Sequence, residues 1–257
     1  MSEEQIRLQL AAAGIENARF EAQLLAEGLS GEALFAAVQR RCDGYPLQYI
    51  LGEWDFYRET YEVSEDCLIP RADTELLVEK AVALLPSGAR FLDLCTGSGC
   101  VAISTLCARP DVSAVGVDLF EGTLALAKRN AERNGVADRF TPMQADVLQE
   151  PPAELKRGSF QAIVSNPPYI RAEVIPTLQK EVQYEPMAAL CGGEDGLDFY
   201  RSILDKWMCL LAKDGFVLLE IGYDQGEALI GLGRKKGLTA SVFADLGGND
   251  RVVLLKK

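Results

Sequence analysis

The sequence predicts an α/β protein: a seven-stranded, mostly parallel sheet, with a small helical bundle and a β-hairpin connector before it. Three observations predict this. From Asp73 onward strand-like and helix-like stretches alternate, which builds a parallel sheet with helices on both faces. The first of those strands, "RFLDL", runs into a glycine turn, "TGSG", that opens a helix. The last two strand-like stretches, "TASVFAD" and "RVVLLK", have no helix between them. They read as a hairpin that makes one edge of the sheet antiparallel.

Residues 2 to 42 read as three helices. Ser2 and Gln5 have capping-box spacing. Ile6 and Leu10 lie four apart on one face, and Gly14 ends that helix. "NARFEAQLLAEGL" brings Phe20, Leu24 and Leu25 together at helical spacing. "SGEALFAAVQRRC" is the third helix. Gly44 and Pro46 then break the helical pattern, and "FYRETYEV" alternates like a hairpin. In "LIPRADTE" a helix starts after Pro70, with Asp73 or Thr74 as its cap and Arg71 free to pair with an acid. A helix at 74–85 leads into strand "RFLDL", helix "VAISTLCA", strand "SAVGVD" and helix "EGTLALAKRNAERNG". Strands "FTPMQAD" and "FQAIVS" follow, then helix "DFYRSILDKWMCLLA", strand "GFVLLEIG" and helix "GEALIGLGRKK". The expected division is a helical domain at 1–44, a linker at 45–73 and an α/β domain at 74–257.

Composition narrows the chemistry. The 257 residues carry 26 Lys and Arg against 38 Asp and Glu, a net charge of −12. Such a balance disfavours direct nucleic-acid binding, which needs clustered cations. Histidine is absent, which excludes Ser-His-Asp and Cys-His catalysis and every histidine zinc site. The seven cysteines are odd in number and form no C-x-x-C pair. They read as reduced, packed thiols of a cytoplasmic protein, with no disulfide framework and no metal. "MSEEQIRLQL" has no apolar signal core, and no stretch reaches the ~20 apolar residues of a membrane span.

Candidate binding residues sit at strand ends, where open α/β sheets bind ligands. Asp93 ends the first strand, and Gly97 and Gly99 let backbone N–H groups approach a ligand. The stretch departs from the G-x-G-x-x-G fingerprint of dinucleotide sites. Asp118 ends the second strand and can accept both hydroxyls of a ribose. Its alternative is a helix cap, since Glu121 follows three residues on. Asp146 ends the third strand and can accept from an adenine amino group, or cap a turn. The fourth strand ends in "SNPPYI". A proline pair must stop a strand, but that does not account for the amide and the ring beside it. Asn166 and the Pro167 carbonyl offer two fixed acceptors for an –NH2 group, and Tyr169 offers a stacking face.

The chain resembles class I S-adenosylmethionine-dependent methyltransferases, and more narrowly the release-factor glutamine N5-methyltransferases (the PrmC/HemK family). The likeness runs through "PLQYILG", "LIPRADTE", "DLCTGSG", "VSNPPYI", "EPMAALCGGEDGLDFYR", "LEIGYDQG" and "DLGGNDRVV" in that order. Ala72, Arg58, Cys95 and Val147 depart from the family's usual proline, glycine, glycine and aromatic. The resemblance implies a Rossmann-like methyltransferase sheet and S-adenosylmethionine as cofactor. The substrate it implies is the glutamine of the Gly-Gly-Gln motif in peptide chain release factors. It assigns cofactor binding to Asp93, Cys95, Thr96, Gly97, Ser98, Gly99, Asp118, Asp146, Val147 and Asn166. It assigns catalysis to Asn166, Pro167 and Tyr169, and substrate binding to these with Pro168. Residues 1–44 become the substrate-binding domain of a cytoplasmic monomer. Three rivals make different demands. A DNA or RNA adenine-N6 methyltransferase would flip a base into "NPPY" and needs a basic face. A non-catalytic adenosine or release-factor module would not need an intact "NPPY". An NAD-dependent oxidoreductase needs a pyrophosphate loop.

Overall fold

The computed structural model describes residues 1–257. Helices α1 (Glu3–Ala12), α2 (Ala18–Gly28) and α3 (Gly31–Cys42) form the N-terminal bundle. The capping box at Ser2 and Gln5 is closed in both directions. Ile6, Leu10, Ala22, Leu25, Leu34 and Val38 belong to a core of the bundle's own. Phe20 departs from the expected apolar stripe and is 54% exposed. The inward positions of α2 are taken by Ala18, Glu21, Ala22 and Leu25. Glu21 turns inward because Arg41 of α3 forks onto both its carboxylate oxygens.

The connector holds an element that the sequence pattern did not reveal. After Pro46 the chain makes one helical turn, α4 (Leu47–Leu51), which Gly52 ends at φ 77°. Strands β1 (Glu53–Phe56) and β2 (Glu59–Glu62) then form the hairpin. Its two-residue turn puts Tyr57, not a glycine, at φ 59°. Asn130 is fully buried and bonds Glu62 N at 2.7 Å, Glu62 O at 3.1 Å and Ser98 O at 2.9 Å. One side chain therefore ties the hairpin to the glycine turn.

A 3-10 turn at Ala72–Thr74 opens α5 (Glu75–Leu84). Strand β3 (Arg90–Leu94), α6 (Cys100–Ala108), β4 (Ser113–Asp118), α7 (Glu121–Arg133), β5 (Phe140–Gln144) and β6 (Phe160–Ser165) follow. Then come α8 (Met187–Leu190), α9 (Asp198–Lys206), β7 (Leu211–Glu220), α10 (Gly226–Lys235), β8 (Thr239–Ala244) and β9 (Asp250–Lys256). The seven strands lie in the order β5-β4-β3-β6-β7-β9-β8. The α/β architecture with a mostly parallel sheet is as the sequence predicts. The last two strands form the expected hairpin and make one edge antiparallel; β9 is inserted between β7 and β8 and is antiparallel to both. Its run "VVLL" is buried and reads as an inner strand, while β8 exposes Thr239, Ser241 and Ala244 at the rim. Two cores cover the sheet faces, one containing Phe91, Ala162 and Val164, the other Leu92, Ile163 and Trp207. Buried apolar runs of this kind mark parallel strands covered on both sides. No helix is long and apolar enough to cross a membrane.

The segment between β6 and α9 joins the bundle to the sheet. Arg41 also bonds Glu181 at 2.6 Å, and Arg71 pairs with the buried Glu185. Glu185 further accepts from Ile69 N at 3.0 Å. Removing one partner of a buried pair leaves an uncompensated charge. Arg41→Ala is therefore expected to destabilise the protein by about 3–5 kcal/mol, measured by urea unfolding. Arg41→Met with Glu21→Leu should recover most of that loss, since the stranded carboxylate is gone.

Candidate active site

The parallel strands place Leu94, Asp118, Ser165 and Glu220 at one end of the sheet. Between β3 and α6 the chain turns sharply, with Cys95 at φ 59°, Gly97 at φ 56° and Gly99 at φ 82°. Left-handed backbone costs a residue with a Cβ about 1–2 kcal/mol, and Cys95 carries that cost here. Glycine suits position 99 because its φ is left-handed and an added Cβ would also sit 3.3 Å from Ala127 Cβ. Thr96 Oγ1 donates to Asp93 Oδ2 at 2.6 Å, and Ala102 N donates to the same oxygen at 3.3 Å. Gly97 N donates to Asp118 Oδ2 at 3.0 Å and Phe120 N to Oδ1 at 3.3 Å. The loop is thus laced to the ends of β3 and β4.

Above it lies a cleft partly open to solvent. Asp93, Cys95, Thr96, Gly97, Ser98, Asp118 and Asn166 all line it. Gly99 supports the turn from behind, and Asp146 and Val147 lie outside the lining. The Asp146 carboxylate accepts from Leu148 N at 2.8 Å, which makes a turn. Val147 is buried, and its carbonyl accepts from Ser202 Oγ at 2.6 Å and Trp207 Nε1 at 3.0 Å.

The cleft is rich in acceptors that the chain leaves unmatched. Asp93 Oδ1 and Ser98 Oγ are buried without a hydrogen-bond partner. Burial pushes the Asp93 carboxyl up to about 7, against the Thr96 and Ala102 hydrogen bonds. Burial also raises Asp118, opposed by the N–H groups of Gly97 and Phe120. Arg71, on the cleft wall, has its guanidinium paired with Glu185. An unpaired, buried carboxylate oxygen is a place for a ligand ammonium or hydroxyl.

The "NPPY" turn closes one side. Asn166 Nδ2 donates to Thr74 Oγ1 at 3.1 Å, and its Oδ1 makes no hydrogen bond. No hydrogen bond within the chain ends on the Pro167 carbonyl. Pro167 and Pro168 are buried. A Cβ on Gly192 would lie 2.8 Å from both Pro168 O and Tyr169 Cα, so the 185–198 segment packs tightly on this turn. Tyr169 lies outside the cleft lining. Its hydroxyl is 3.4 Å from Glu220 Oε1, and its ring faces a neighbouring pocket with Arg171, Gln225 and Arg251. Thr74, which the sequence offers only as a helix cap, and Glu220, which it does not mark, complete this side of the site. Their signal lay in "LIPRADTE" and "LEIG", where polar residues adjoin buried runs.

Residues 72–183 match the family described as "Methyltransferase small domain". A release factor glutamine methyltransferase of Geobacter sulfurreducens is 40% identical over 265 residues, covering 95% of this chain and 91% of that protein. One of Moorella thermoacetica is 37% identical over 269 residues, covering 96% and 94%. A crystal structure of a Pyrococcus furiosus methyltransferase shares the fold at a TM-score of 0.58 and 19% identity, covering 77% and 88%.

The buried carboxyls generate a pH prediction. Asp93 has its folded pKa raised to about 7 from 3.8. The folded state therefore holds a proton that the unfolded chain has lost between those values. Its contribution to stability is complete below about pH 4 and is lost as pH rises through about 7. Asp93→Asn is expected to raise the melting temperature of the ligand-free protein at pH 8 by several degrees and to leave it near wild type at pH 4, read by calorimetry. An equal change at both pH values would contradict the assignment.

Proposed function

The chain belongs to the release factor glutamine methyltransferase family, and from that premise we propose its substrate. It transfers a methyl group from S-adenosylmethionine to the side-chain amide nitrogen (N5) of the glutamine in the Gly-Gly-Gln motif of peptide chain release factors. The observation that carries this reading is the pair of free acceptors at the end of β6. Asn166 spends its –NH2 on Thr74 and keeps Oδ1 free, and the Pro167 carbonyl beside it is unpartnered. Two acceptors on a stiff turn suit the two N–H bonds of a carboxamide.

The cleft residues fit the cofactor. The orphan Asp93 Oδ1 suits an ammonium, and the Asp118 carboxylate at the strand end suits ribose hydroxyls. Cys95, Thr96, Gly97, Ser98 and Asn166 line the space between them, Gly99 shapes the loop, and Asp146 with Val147, outside the lining, are assigned to the adenine end by the family resemblance alone. When bound, S-adenosylmethionine supplies a methyl group activated by a sulfonium. The chain must then make a poor nucleophile attack. An amide nitrogen's lone pair is delocalised into its carbonyl, and no histidine exists to act as base. Asn166 Oδ1 and the Pro167 carbonyl hold both N–H bonds and orient the nitrogen. Their dipoles also stabilise positive charge growing on it, and the proton is then lost to water. Pro168 stiffens the turn and Tyr169 braces it against Glu220.

Residues 1–44 serve to engage the release factor, 45–73 connect, and 74–257 carry the chemistry. The protein acts as a cytoplasmic monomer. The net charge of −12 weighs against the adenine-N6 methyltransferase reading.

Asn166→Ala is expected to keep cofactor affinity near wild type by calorimetry and to lose about 10²–10³-fold in kcat. Asp118→Ala should do the reverse, weakening cofactor binding by about 10- to 100-fold. Normal turnover by Asn166→Ala would overturn the assigned role.

A further inference from the structure

The cofactor proposed for the cleft carries a carboxylate beside its ammonium, and the protein must meet that charge. The cleft lining holds three acids, Asp66, Asp93 and Asp118, and one cation, Arg71. The acids suit an ammonium and a sulfonium but repel a carboxylate. The glycine turn offers little of an anion cradle. Thr96 N donates to Val117 O at 3.0 Å, Gly97 N to Asp118 Oδ2 at 3.0 Å and Gly99 N to Thr96 O at 2.9 Å. Three of the four amides from Thr96 to Gly99 are thus spent inside the protein.

Arg71 is placed to meet the carboxylate. Its side chain is 38% exposed, whereas that of its partner Glu185 is 1% exposed. Both oxygens of Glu185 are occupied: Oε2 accepts from Ile69 N at 3.0 Å, and Oε1 accepts from Arg71 Nη2. The buried carboxylate therefore clamps the backbone at 69 and the guanidinium at 71 together. A guanidinium has five N–H donors in a rigid fork, and this pairing engages one of its nitrogens. Glu185 fixes the fork without using it up. Donors remain for a second carboxylate, on the one cationic side chain of the cleft wall.

We propose that Arg71 is a cofactor-binding residue that receives the carboxylate of S-adenosylmethionine. The proposal rests on the reading of this cleft as the S-adenosylmethionine site. Two side chains then divide the amino-acid end of the cofactor: the orphan Asp93 Oδ1 takes the ammonium and Arg71 the carboxylate. The carboxylate does not change during methyl transfer. Its contact with Arg71 therefore sets affinity, and selects for a ligand with a complete amino-acid tail, without altering kcat.

The test is calorimetric binding of two ligands to the full chain and its variants. One is S-adenosylmethionine. The other is decarboxylated S-adenosylmethionine, which keeps the adenosine, the sulfonium and the ammonium and lacks the carboxylate. Wild type is expected to prefer the first by about 10- to 100-fold. Arg71→Gln should lose about that factor for S-adenosylmethionine and stay within about 3-fold of wild type for the decarboxylated ligand. Arg71→Lys, which keeps the charge but not the fork, should recover part of the preference. Arg71→Gln also strands the buried Glu185 carboxylate, so the Arg71→Gln/Glu185→Gln pair is measured beside it. Its melting temperature should recover while the preference stays lost. The inference is overturned if Arg71→Gln, alone or in the pair, keeps the wild-type preference, as it would if it weakened both ligands equally. Wild type that binds S-adenosylmethionine without preferring it overturns the role of Arg71 alone. Wild type that binds neither ligand overturns the cofactor reading as well.

Discussion

Burying a carboxylate that has no ion pair costs free energy, and this sheet does so twice at the same end. Asp93 is the penultimate residue of β3 and Glu220 ends β7, each about 1% exposed, each with one oxygen unpartnered. Burial raises both carboxyls to about 7. A fold selected for stability alone would pair or remove them. Retaining them puts an unpartnered acceptor in the cleft at Asp93 and another beside Tyr169 at Glu220. The surrounding structure serves that constraint. Thr96 and Ala102 hold one Asp93 oxygen while the other faces the cleft. Tyr169 faces Glu220 from the turn side, its hydroxyl 3.4 Å from Oε1.

The non-sheet parts are fastened to the same end of the sheet. Asn130 links the hairpin to the glycine turn through Glu62 and Ser98. Arg41 links the bundle to the segment after "NPPY" through Glu181, and Glu185 of that segment bonds Arg71 and Ile69. Pro186 and Ala189 of the same stretch form part of the cleft wall. The bundle is thus joined to the cleft wall by polar contacts as well as by the linker. Such contacts demand geometry more than they add stability. They suit a site whose shape matters when a protein substrate docks.

Much of this was legible in the sequence, for physical reasons that differ by element. Strands "RFLDL", "SAVGVD" and "FQAIVS" match β3, β4 and β6 residue for residue. Each is a short β-rich run bounded by turn residues. Helix α4 was not legible, because five residues after a proline carry less than two turns of periodicity. Phe20 misled because apolar spacing cannot reveal that Arg41, twenty residues away, pulls Glu21 inward. The insertion of β9 between β7 and β8 is long-range pairing that local pattern does not encode. At the site, the glycine turn and "NPPY" stood out through residue types with special backbone behaviour. Thr74 and Glu220 did not, since an ordinary threonine and glutamate become notable only when the fold brings them beside Asn166. Tyr169 shows the opposite limit: its ring was visible, but not that it turns toward Glu220 and a neighbouring pocket.

The central claim is that the free acceptors at the end of β6 receive a glutamine carboxamide. The most direct measurement uses methyl-labelled S-adenosylmethionine with an unmodified release factor, beside the same factor carrying Gly-Gly-Ala in place of Gly-Gly-Gln. Peptide mass spectrometry then locates the methyl group. The account predicts label on the native factor alone, at the glutamine side-chain nitrogen. Label on DNA or RNA and none on the factor would mean that the turn grips a base, and would contradict it.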